Sequence, residues 1–104
     1  MSNRLFQSVI HQMKDAVGNR VIGVIDETGV IIACSELVKI GEVRQSARDE
    51  LAYSSDVLVS GGCTYRPLTN GAKREYVAFV EGDDAEADMI SHLLAVALSN
   101  IRNL

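Results

Sequence analysis

The chain has no run of about 18 uninterrupted apolar residues, the length a membrane-crossing helix needs. Its longest candidate, residues 89–98, contains Ser91 and His92. It also has no excess of basic charge, with 10 Lys and Arg against 14 Asp and Glu in 104 residues, a net charge of −4. Such a domain is not expected to hold nucleic acid by itself, because phosphate binding needs clustered Lys and Arg. The N-terminal residues 1–6 carry one basic side chain and no apolar block, so a secretory signal is not expected and the cytoplasm is. The only cysteines, Cys34 and Cys63, are then expected as free thiols. A single proline and 47% hydrophobic residues exclude a disordered or low-complexity chain and fit one globular domain.

Motifs for chemistry are missing too. Gly61-Gly62 is followed by neither Lys-Ser nor Lys-Thr, no G-x-G-x-x-G opens a helix, and no G-x-S-x-G is present, so nucleotide binding and hydrolase chemistry have no support. His11, Cys34, Cys63 and His92 are zinc-type ligands, but none lies within four residues of another, whereas structural zinc sites present at least one close pair. No metal, cofactor or catalytic residue is expected, and the domain is not expected to be an enzyme. His92 is one turn beyond Asp88, which an i, i+4 pair explains.

What the sequence does contain is strong local patterning. Leu5, Phe6, Val9, Ile10, Met13, Ala16 and Val17 recur at three and four, predicting a helix over residues 3–17 that Gly18 ends. Two β-branched runs flank Asp26-Glu27-Thr28-Gly29, a hairpin signal. Both runs are nearly continuously apolar, which predicts central strands covered on both faces, and Gly23 marks a close backbone approach. A short polar helix is expected over residues 45–53. Strands are expected over 56–60 and 63–68, with Gly61-Gly62 read either as a bulge or as a turn, and Thr69-Asn70-Gly71 turns the chain. Residues 76–80 form a further strand. The last helix opens at Asp83 or Asp84, where Asp83 and Glu86 resemble a capping box. Its apolar arc is wide enough to require a second covering surface. The sum is an α+β domain with an antiparallel sheet of four to five strands and a helix at each end.

Around this sheet, Lys39, Arg44, Arg48, Arg66, Lys73 and Arg74 lie among Ser35, Ser46, Tyr53, Ser60 and Tyr65. Each cation can be read as a solubilising surface charge. Together they can also supply the few convergent polar groups that fix a small ligand, with Arg44 and Arg66 suited to a carboxylate.

The segment Leu5-Phe6-Gln7-Ser8-Val9-Ile10-His11-Gln12-Met13, the hairpin from Val24 to Ser35 and the stretch Lys39-Ile40-Gly41-Glu42-Val43-Arg44 resemble the N-terminal sugar-diacid recognition domain, a PAS- and Cache-like sensor, of bacterial carbohydrate-diacid and purine-catabolism type transcription regulators. Residues 75–100 resemble it as well. The resemblance implies a cytoplasmic sensor spanning residues 1–104, the N-terminal fragment of a longer regulator whose helix-turn-helix binds DNA. The family's basic loop residue, Ile-Gly and following polar residue fall on Lys39, Ile40, Gly41 and Arg44, the last replacing a usual histidine. Residues 63–68 depart from the family's polar strand. A small polar or anionic, sugar-diacid-like metabolite would be held by Ser35, Lys39, Gly41, Arg44, Tyr65 and Arg66. A homodimer would form through Leu5, Val9, Met13, Leu94, Leu98 and Ile101. The competing reading is a dimerisation and protein-interaction module with no ligand.

Overall fold

The computed structural model describes residues 2–44, 57–68 and 76–102. Helix α1 (Ser2–Met13) leads into strands β1 (Ile22–Asp26) and β2 (Ile31–Cys34) and a 3-10 turn at Leu37–Lys39. Strands β3 (Leu58–Ser60), β4 (Cys63–Pro67) and β5 (Tyr76–Glu81) and helix α2 (Ala85–Arg102) follow. The strands form one antiparallel sheet in the order β2-β1-β5-β4-β3. This is the α+β architecture expected, with five strands. The expected polar helix over 45–53 and the turn at 69–71 lie outside the described residues.

Local chemistry explains the tight turns that join β1 to β2 and β3 to β4. Asp26 Oδ1 accepts hydrogen bonds from the Thr28 N–H, the Thr28 hydroxyl and the Val30 N–H at 2.9, 2.7 and 3.1 Å, which closes the β1–β2 turn. Burial pushes the Asp26 carboxyl up, but the bonds from Thr28, Val30 and Gly29 outweigh it and hold the group below its usual range. Gly61 and Gly62 join β3 to β4 as a two-residue turn rather than a bulge: Ser60 pairs with Cys63, and both glycines have positive φ, 57° and 77°, as a type I′ connection requires.

Strand alternation divides the sheet into two faces. Ile22, Val24, Ala33, Ala78 and Val80 point to the helix face, where they pack with Phe6 and Ile10 of α1 and Ala87, Ile90, Leu94, Ala95 and Leu98 of α2. Gly23, Ile25, Ile31, Cys34, Tyr65, Val77 and Phe79 belong to the opposite face, and all of them but the glycine form a second apolar cluster.

Four expectations need correction. First, β2 is not central but an edge strand. It is apolar because both of its faces are covered, and its outer edge is closed. Gln7 donates to the Cys34 carbonyl and accepts from its N–H, while Ile31 exchanges backbone bonds with Gly41 and Glu42, so little of the strand's backbone is left to pair with another chain. Second, α1 stops at Met13; the chain continues in turns, from which Val17 still reaches the core. Third, Leu94 and Leu98, expected at a dimer interface, are fully buried within the protomer. The exposed apolar stripe of α2 is instead Met89, Leu93 and Val96, and on α1 Leu5 is half-exposed. The side chain of Ile101 lies outside the described residues. Fourth, of the two starts expected for α2 it is Asp84 that caps the helix, its Oδ1 accepting from the Ala87 N–H at 2.9 Å, so the box expected between Asp83 and Glu86 gives way to a cap one position later. None of the described helices is long and apolar enough to cross a membrane.

Arg20 fastens the start of α2 to the start of β1. Its guanidinium donates to Glu86, the Glu81 carbonyl and Asp84 at 3.1, 3.0 and 2.8 Å. The Arg20 hydrogen bond, aided by the Ala87 N–H, holds Asp84 below the usual carboxylate range. A carboxylate depressed in the folded state contributes stability above its unfolded pKa and loses it as pH falls through the folded value. Asp84→Asn is therefore expected to flatten the loss of stability below about pH 4, measured as urea midpoints across the acid range. An unchanged slope would show that the cluster is fully screened.

Candidate functional site

The face of the sheet away from the helices carries a cavity of about 210 Å³ lined by Val21, Lys39, Arg44, Gly61, Gly62, Cys63, Phe79 and Glu81. Register explains the gathering. Phe79 faces Gly23 on one neighbouring strand and Tyr65 on the other. Two residues further along β5, Glu81 faces Cys63. Gly23 makes the packing possible, since a Cβ there would meet the Phe79 ring at 2.6 Å and the Ala33 carbonyl at 2.5 Å. Its role is space, as its φ is not among the positive ones.

Arg44 reaches over this floor from the strap that follows β2. Its N–H donates to the Gly29 carbonyl at 2.7 Å, and its guanidinium carbon lies 5.6 Å from the centre of the Phe79 ring, within cation–π range. Among the described residues Glu42 is the one carboxylate within ion-pair distance of it, at 3.7 Å. Arg44 Nε is buried without a hydrogen-bond partner among the described residues, a costly state for a charged group. Burial pushes the Tyr65 hydroxyl up, and the adjacent Arg44 works against that. Tyr65 and Phe79 pack with ring centres 6.1 Å apart.

The six site residues expected from the sequence divide among several places. Lys39 and Arg44 line the cavity, and Tyr65 lies on the same face, buried beside Phe79. Gly41, at φ 100°, holds the strap to β2 through its N–H on the Ile31 carbonyl. Ser35 accepts from the Ile22 N–H at 3.1 Å and borders a separate depression with Lys14, Arg20 and Glu36. Arg66 alternates to the helix face, where it donates to Ser91 at 3.1 Å and to Asp88 at 2.8 Å. Asp88, expected to pair with His92, takes Arg66 instead.

Phe79, Cys63 and Glu81 were not among the expected site residues. Period-two alternation was the signal available for them, since Phe79 and Glu81 share a face once one of them is assigned. Both cysteines are free; burial pushes the Cys34 thiol up, as for a small core hydrophobe. Among the described residues no three His, Cys, Asp or Glu side chains gather as metal ligands.

No family model matches the chain, and no curated protein matches it at a significant level. Among solved structures, it is similar to a chain of the crystal structure of the E. coli DhaR(N)–DhaL complex, with a TM-score of 0.57 and 11% sequence identity. The similarity covers 96% of this chain and 47% of that one, so the present chain spans about half the length of its structural neighbour. At this identity the likeness is one of fold.

Proposed function

We propose that the chain is the sensor domain of a bacterial transcription regulator, acting in the cytoplasm and binding a small polar or anionic metabolite without catalysing a reaction. The observation that carries this reading is Arg44. A guanidinium is held over an aromatic ring at the rim of a cavity, with a buried Nε that has no partner among the described residues. A ligand carboxylate in the cavity would take the guanidinium that borders it in a charge-assisted bond. Lys39 adds a second cation at the same cavity. Arg44 also belongs to the strap that closes the β2 edge, so a ligand with differential affinity for two arrangements of the strap would shift their populations. Paired copies, packed through α1 and the Met89–Leu93–Val96 stripe of α2, would pass that shift to a DNA-binding region elsewhere in the regulator.

Arg44→Ala is expected to abolish ligand-dependent thermal stabilisation while leaving the oligomeric state in size-exclusion chromatography unchanged. Undiminished stabilisation in this variant would remove the assignment. The second reading, a ligand-free interaction module, draws on the exposure of Met89, Leu93 and Val96 and on a structural neighbour that was solved as a complex. It predicts partner binding that Arg44→Ala leaves intact and Leu93→Asp destroys.

A further inference from the structure

We infer that the cavity ligand is a zwitterion of the α-amino acid class rather than a dicarboxylate, with Glu81 as the residue that sets this specificity. This rests on the sensing role proposed above. Lys39, Arg44 and Glu81 line one cavity, yet among the described residues Glu81 forms an ion pair with neither cation, and Arg44 has only the long contact to Glu42. Charges of opposite sign therefore border the same space without closing on each other. A molecule carrying both signs completes both sides: its carboxylate meets Arg44 and Lys39, and its ammonium meets Glu81.

A second carboxylate would instead lie against Glu81, and like charges that close raise the free energy of the complex and reject the ligand. Phe79 is covered and Val21 is the one aliphatic side chain among the described lining residues, so the cavity suits an amino acid with a small or polar side chain. The volume, about 210 Å³, is below the roughly 300–1,000 Å³ of sites for drug-sized ligands, which suits a compact molecule. Glu81 is positioned independently of its charge, because its backbone is fixed in β5 opposite Cys63 and its carbonyl takes Arg20. Glu81→Gln thus removes the charge and leaves the strand.

The test is calorimetric titration of the full chain with L-alanine and L-serine, the 2-hydroxy acids of the same carbon skeletons, and tartrate and glucarate as dicarboxylates, all up to millimolar concentration. At least one amino acid is expected to bind about tenfold or more tightly than its hydroxy acid, the value of one charge-assisted contact. In Glu81→Gln the two should converge, while the weak binding of the hydroxy acid persists. Preferential binding of a dicarboxylate, or discrimination that survives Glu81→Gln, overturns the zwitterion assignment and leaves the sensing role standing. Binding of none of the probes overturns the zwitterion assignment, and a probe bound by Arg44→Ala as tightly as by the parent chain overturns the sensing site as well.

Discussion

Leu94→Ala is expected to lower the unfolding free energy by about 2–5 kcal/mol, a large share of the roughly 5–15 kcal/mol that holds an ordinary domain together. Leu94 is fully buried in the cluster formed by Phe6, Ile10, Val24 and Val80. Truncation there removes apolar contact and leaves a cavity that α1, α2 and the sheet cannot all move to fill. The melting temperature should fall by roughly 10–20 °C. The adjacent residue provides the control: Leu93 is 55% exposed, and Leu93→Ala should change stability by no more than about 0.5 kcal/mol. The pair tests the rotation of α2. If Leu94→Ala altered the oligomeric state and spared the melting temperature, while Leu93→Ala unfolded the protomer, the helix face assigned to the core would be the wrong one.

That rotation shows where a sequence stops being legible. The wide apolar arc of the final helix is plain from spacing, and so is the need for two covering surfaces. Which part meets the sheet is decided by the position of α1 and by which residues of β5 face the helices, neither of which lies within the helix itself. The Asp26 hairpin is legible because its hydrogen bonds are local. Gly61-Gly62 resolves into a turn only when Ser60 and Cys63 are seen to pair. The apolar continuity of β2 truthfully reports burial on both faces but says nothing of strand order, since a capped edge and a central position produce the same composition.

The candidate site follows the same division. Lys39 and Arg44 were readable as cations in a strap after the hairpin, and they meet at the cavity. Tyr65 and Arg66 are neighbours in sequence, yet alternation sends one to Phe79 and the other to Ser91 and Asp88. Glu81 was hidden by its place at the end of a strand, beside an acidic stretch whose capping role accounts for Asp84 but not for it. Long-range register supplied what composition could not.

Gly23→Ala is the substitution in which fold and site meet. The added methyl would lie 2.5 Å from the Ala33 carbonyl and 2.6 and 2.7 Å from two carbons of the Phe79 ring. The carbonyl belongs to the β2 backbone and can yield only by opening the β1–β2 ladder. The ring is 1% exposed and held between its neighbours. Overpacking of this kind costs about 1–3 kcal/mol and occasionally more, and the backbone clash sets this variant toward the upper end. Because Arg44 rests on the displaced ring, ligand-dependent stabilisation should also be lost. Adding Phe79→Leu relieves the ring contact and leaves the carbonyl contact, so the double variant should recover only part of the stability and none of the cation–π contact. Full recovery, measured by urea unfolding, would show that the ring alone makes glycine necessary there. A single variant as stable as the parent chain would mean that β1 and β2 do not approach as closely as the Gly23–Cys34 pairing requires.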